Sequence, residues 1–226
     1  MIKTMRLLQF TDSAFPVGTF SFSNGLETAS FENIVNNATS LEAFAKAQAY
    51  QAAFCDGVAA LLTHRAYLEK NFERCVEIDK YLFGFKMNAE ARMMNTRMGK
   101  KLAELSVKLF DSEMINNWLQ EIRAGTTPGT YPVAQGMTFA EAGIGEKELF
   151  CSHQYGVINM VLGAALRCVK VSHYDTQLIL EKLAPEVEAH YEDASKMELQ
   201  DMNAFFPQLD ILASLHEKGN MRMFMN

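Results

Sequence analysis

The run Met87-Asn88-Ala89-Glu90-Ala91-Arg92-Met93-Met94-Asn95-Thr96-Arg97-Met98-Gly99-Lys100-Lys101-Leu102-Ala103-Glu104-Leu105-Ser106-Val107-Lys108-Leu109 decides the fold class. Met87, Ala91, Met94, Met98, Leu102, Leu105 and Leu109 recur every three or four residues and make one apolar stripe on a helix. The methionines of the stripe read as adaptable core filler. Arg92, Lys100, Lys101, Glu104 and Lys108 fall on the opposite face, which reads as solvated, with a surface for an acidic partner as the alternative.

The same logic extends along the chain. Thr39-Ser40-Leu41-Glu42 has the form of a capping box, so residues 40–63 read as a long helix. Thr138-Phe139-Ala140-Glu141 repeats the signature before a shorter helix that Gly143 and Gly145 should end. Asn24-x-x-Glu27 is a weaker version and places a helix start at about Gly25. Residues 155–170 are apolar almost all round, as in a central buried helix. Residues 174–199, with Leu178, Leu183, Val187 and Tyr191, form an amphipathic segment that Pro185 should bend or divide. Ala124–Gly136 gathers Gly125, Pro128, Gly129, Pro132 and Gly136 and reads as one long loop. No alternating strand run is found. The expectation is an all-α, single-domain helical bundle of roughly eight to ten helices spanning residues 1–226.

Bulk composition narrows the function. With 226 residues, 49% hydrophobic and 21% charged, the chain can bury a core without disulfides or metals. A net charge of −6 gives no global basic footprint for nucleic acid. Cys55, Cys75, Cys151 and Cys168 are widely spaced and read as reduced thiols. The run after Lys3 and Arg6 is interrupted by Gln9, Thr11 and Asp12, too short for a signal peptide. Gly156–Val171 carries Asn159, Arg167 and Lys170 and falls short of the roughly 20 apolar residues that span a bilayer. These features point to a cytoplasmic chain with no membrane segment.

Catalytic signatures are missing. There is no phosphate-binding G-x-x-x-x-G-K-[ST] loop, and Gly18 and Gly25 are too far apart for a dinucleotide fingerprint. Cys151 and His153 are two ligands without the rest of a metal site. Ser13, Ser21 and Ser23 read as turn and cap residues. An alternative, a small all-α enzyme with acid and His side chains in an interior pocket, would need convergent carboxylates such as D-D-x-x-D. No such motif occurs.

Both ends are adhesive. Leu7–Glu27 and the terminal His216-Glu217 and Arg222-Met223-Phe224 set aromatic residues in segments hard to fold alone. Gly219-Asn220 is a helix stop. Burying the four apolar tail residues Met221, Met223, Phe224 and Met225 gains about 6–10 kcal/mol. Ordering some seven backbone positions costs about 7–14 kcal/mol. A lone tail should therefore fray until a partner buries it, which suggests a binding scaffold.

These residues resemble the urease accessory protein UreF family over nearly the whole chain. The carriers are Leu8-Gln9, then Phe15-Pro16-Val17-Gly18-Thr19-Phe20-Ser21-Phe22-Ser23-Asn24-Gly25-Leu26-Glu27, then Glu90-x-Arg92 with Arg97-Met98-Gly99. Asp175 and Gln177, Leu209-Asp210-Ile211, His216-Glu217 and Arg222-Met223-Phe224 complete the match. Thr19, Phe22, Tyr131, Thr176 and Asn220 depart from the family pattern, and Phe22 and Tyr131 take histidines away, arguing against nickel ligation there.

The resemblance implies a non-catalytic protein that binds a UreD/UreH-type accessory protein, recruits a UreG-type GTPase and couples or gates GTP hydrolysis to nickel delivery into apo-urease. It implies a homodimer within that complex, with nickel and GTP handled by the assembly and no cofactor on this chain. By the same resemblance, residues 1–24 and 205–226 are partner-binding extensions. Their implied contact residues, with the adjoining helix start, are Pro16, Gly18, Phe20, Ser23, Gly25, Glu27, His216, Glu217, Arg222 and Phe224. Arg222 is the anchor, with an arginine-finger role as the second reading.

Overall fold

The 87–109 stripe folds as one helix, Ala89–Leu109, started by Asn88, whose side-chain oxygen accepts the Ala91 N–H at 2.7 Å. The structure, a computed structural model, describes residues 1–17, 22–204, 206–217 and 222–224. Its helices are α1 (Ile2–Thr11), α2 (Leu26–Phe31), α3 (Ala38–Ala52), α4 (Val58–Leu68), α5 (Phe72–Gly84) and α6 (Ala89–Leu109). They continue as α7 (Glu113–Ala124), α8 (Tyr131–Glu141), α9 (Glu146–Cys168), α10 (His173–Ala194) and α11 (Pro207–His216). A π-helical turn, Ala53–Gly57, joins α3 to α4 as one rod. No strand occurs among the described residues, and the fold is all-α as expected.

Three boundaries differ from the sequence reading, each for a local reason. Asn37, not Thr39, caps α3: its side chain accepts the Ser40 N–H while Ser40 Oγ reaches back to Asn37 N–H. Thr138 starts nothing and lies inside α8, where its hydroxyl donates to Ala134 O and meets Ser106 Oγ at 2.7 Å. The expected long loop is short because Pro132 sits in the first turn of α8, where its missing N–H costs nothing. Pro185 lies inside α10 without dividing it.

The six-residue connection before α8 is fixed by one buried carboxylate. Asp79 accepts the Thr127 hydroxyl at 2.6 Å, the Gly129 and Thr130 N–H groups at 2.7 Å, and the Thr130 hydroxyl at 2.5 Å. A buried acid with this many donors is fully satisfied, so it organises the loop.

Two main cores share the rod α3–π-turn–α4. The first gathers Leu61, Ile78, Leu82, Leu102 and Met137 around Trp118. The second joins α2, α3, α9, α10 and α11 through Leu26, Leu41, Phe44, Val161, Ile179 and Leu212. Helices α4 and α8 meet closely at Gly136, where a Cβ would lie 2.6 Å from the Ala60 carbonyl oxygen. By length and composition α9 could cross a bilayer, contrary to the sequence reading, but more than half of its apolar stretch is buried here, which identifies a core helix. It is also not buried all round: Tyr155 and Arg167 are exposed.

Candidate functional site

The start of α2 and the C-terminal segment meet at the first turn of α6. Glu27 and Glu90 occupy the first turns of α2 and α6, where helix dipoles favour carboxylates, and His216 occupies the last turn of α11, where a cation is favoured. The imidazole lies between the two acids: Nδ1 is 2.9 Å from Glu90 Oε2 and Nε2 is 2.9 Å from Glu27 Oε2. With an N–H on each nitrogen the ring donates to both carboxylates, whereas a ring with one N–H leaves one carboxylate facing a lone pair.

The tail is threaded onto the same acids. Arg222 Nη1 donates to Glu90 Oε1 at 2.6 Å. The Met223 and Phe224 N–H groups donate to Glu27 at 2.7 and 3.2 Å. Phe224 is buried beneath the Arg167 guanidinium, 3.9 Å from the ring centroid. Glu217 accepts the N–H groups of Ala89 and Glu90 at 2.9 and 3.3 Å, capping α6 from the end of α11. Gly25, at φ +79°, lets α11 approach: a Cβ there would lie 3.0 Å from the Ala213 nitrogen. Ser23 is fully buried at the entry to α2.

The structure therefore brings together Ser23, Gly25, Glu27, His216, Glu217, Arg222 and Phe224. Pro16 does not join them; it is exposed between Phe15 and Val17, which line a separate cavity under α1. Gly18 and Phe20 lie outside the described residues, as do Met221, Met225 and the Gly219-Asn220 stop signal. The fraying expected of the tail does not hold for residues 222–224. Burial of one aromatic ring is joined there by charge-assisted bonds, which apolar area alone leaves out. Glu90 and Arg167 were missed as site residues. The signal for Glu90 was its place beside the apolar stripe, three residues after Met87 and four before Met94.

Next to this clamp, Asn24 and α11 help line a cavity of about 140 Å3. Within it Lys86 Nζ meets both Asp56 oxygens at 2.8 and 2.6 Å. Burial opposes the Asp56 charge, but Lys86 outweighs it and holds the carboxyl below its usual range. Burial likewise opposes the Lys86 charge, and Asp56 outweighs it to leave the ammonium above its usual value. Burial, more than the neighbouring Lys86, pushes His153 down to about 4, against the pull of Asp56. His153 Nδ1 lies 2.9 Å from Gln135 Oε1. Cys151 is exposed while His153 is buried, as expected for neighbours two apart on a helix, so they do not converge on an ion. No group of three or more His, Cys, Asp or Glu side chains that could hold a metal exists among the described residues.

This geometry defines a class: an all-α bundle in which the start of α2 and the C-terminal segment are locked together against α6. A UreF family model matches residues 35–184, a span that contains Glu90 but not Glu27, His216 or Arg222. The chain is 45% identical over 222 residues to "Urease accessory protein UreF 2" of Brucella canis and of Brucella abortus, covering 98% of this chain and 91% of each relative. It is 40% identical over 222 residues to "Urease accessory protein UreF" of Yersinia pestis, covering 98% and 97%. The chain belongs to the UreF family of urease accessory proteins.

Proposed function

We propose that this chain is a non-catalytic, cytoplasmic scaffold for nickel insertion into urease. It binds a UreD/UreH-type accessory protein, recruits a UreG-type GTPase, and gates GTP hydrolysis to nickel delivery into apo-urease, working as a homodimer within that complex. Nickel and GTP are cargo and substrate of the assembly, with no cofactor resident on this chain.

The observation that carries this reading is the clamp. Glu27, Glu90 and His216 hold Arg222, Met223 and Phe224 in one conformation, while Met223 stays 58% exposed and the Arg222 side chain 40% exposed. A pre-ordered tail with its outer side open lowers the entropic cost of docking on a partner. The site residues Ser23, Gly25, Glu27, His216, Glu217, Arg222 and Phe224 act by building that surface. Arg222 already spends its charge on Glu90, which favours an interface anchor over an arginine finger.

The test is co-expression with the UreD/UreH-type protein, followed by capture of the UreG-type GTPase with GTP. Wild-type chain should co-purify with the first and capture the second, and Arg222→Ala should lose capture while keeping its helical circular dichroism. Undiminished capture by the variant would sink the tail assignment.

A further inference from the structure

Among the described residues, the outer face of α6 is used neither by the clamp nor by either core. At 100° per residue, Met93, Arg97, Lys100, Lys101, Glu104 and Lys108 fall within an arc of about 100°, and the stripe runs about 23 Å along the helix. It carries four cations and one acid in a chain whose net charge is −6. Among the described residues Arg97, Lys100 and Lys108 have no ion-pair partner, and Lys101 reaches Glu104 only at 3.9 Å. All four cationic residues are exposed, and Met93 adds an exposed apolar side chain at the clamp end.

We propose that this stripe is a second docking surface, matched to an acidic protein face. Four like charges aligned on one helix repel one another, and an acidic partner relieves that repulsion while steering its own approach. Nucleic acid fits less well. Glu104 within the stripe and the chain's net charge of −6 would oppose a continuous phosphate backbone. The stripe lies on the helix whose first turn holds Glu90, so one rigid element presents both the tail surface and the basic surface. Only the choice of urease-maturation partners to assay rests on the scaffold reading.

The variant is the full chain with Arg97→Glu, Lys100→Glu and Lys108→Glu, checked for unchanged helical content and melting. Its association with the UreD/UreH-type protein, the UreG-type GTPase and apo-urease is timed at low and high salt beside the wild type. With one of the three, the variant should associate at least about tenfold more slowly at low salt and lose most of the salt dependence. Partners that bind wild type and variant at the same rates, with the same salt dependence, would overturn the inference. Failure of wild type to bind any partner would refute the scaffold reading instead. The stripe is then judged by a Glu-rich helical peptide, whose titration should shift the backbone amides of residues 92–108. No shift there, or tighter binding of single-stranded DNA than of the peptide, would overturn the acidic-protein assignment.

Discussion

Replacing Glu90 by Ala should open the tail without unfolding the bundle. The carboxylate lies 2.9 Å from His216 Nδ1 and accepts from Arg222 Nη1 at 2.6 Å. Hydrogen bonds to a charged group contribute about 1.5–3 kcal/mol each when desolvated. His216 is only 3% exposed, so its bond counts nearly in full and its nitrogen is left without an acceptor. The Arg222 side chain is 40% exposed, so its contribution is screened and falls toward about 1 kcal/mol. Only the Arg222 bond, about 1 kcal/mol, acts on the docking of residues 222–224; the His216 bond acts on the packing of α11 against α6, which keeps Asn88 as its own cap.

The readout is native-state hydrogen exchange of the Met223 and Phe224 amides, which donate to Glu27 rather than to the residue removed. Their protection should fall about fivefold, the equivalent of roughly 1 kcal/mol, or to the limit of full opening if docking is weaker than that. Protection in the helix cores should stay unchanged. Unaltered exchange at Met223 and Phe224 would refute the claim that Glu90 holds the tail. Equal losses everywhere would show that the clamp is not a separate unit.

Two further perturbations act on the cavity. His153 has a folded value of about 4 against 6.5 for the free group, so its neutral form stabilises the fold fully above pH 6.5. That contribution is lost as pH falls from 6.5 toward 4, by about 3 kcal/mol in total. Denaturant melts of His153→Gln should show a flatter profile across that window; a slope equal to wild type would place the acid sensitivity elsewhere. Lys86→Met leaves Asp56 charged and buried without its partner and should cost about 3–5 kcal/mol, part of it recovered by adding Asp56→Asn. Additive losses in that double-mutant cycle would mean that the two groups do not depend on each other.

How much of this was legible depended on the range of the interaction. The α6 stripe and the absence of strands were readable because periodicity is local and repeated over six turns. The start of α3 was misjudged by two residues because Asn37 and Thr39 both offer a capping oxygen, and only the Ser40 reach-back selects between them. Prolines misled differently: Pro132 looked like part of a loop and proved to sit in the first turn of a helix. In the candidate site, the end motifs marked Glu27, His216 and Arg222, but nothing local says that they meet. Glu27 and His216 are 189 positions apart and are joined only by the fold that brings α2 and α11 together on α6. Glu90, lying between them in sequence, gains its meaning solely from that meeting.

The π-turn at Ala53–Gly57 has a consequence for the chain's tolerance of length change. It holds one residue more than a regular helical turn would, and the rod's two halves face different cores: Leu41, Phe44 and Ala45 one, Val58, Leu61 and Leu62 the other. Deleting a single residue there would restore a regular helix and improve its local hydrogen bonding. It would also turn everything downstream about 100° on the rod axis. Val161 and Leu162 of α9 and Ile179 of α10 would then turn away from Leu41 and Phe44 of α3. The irregular turn is thus a phase setting between two halves of the molecule, and a change that looks like a repair would put them out of register.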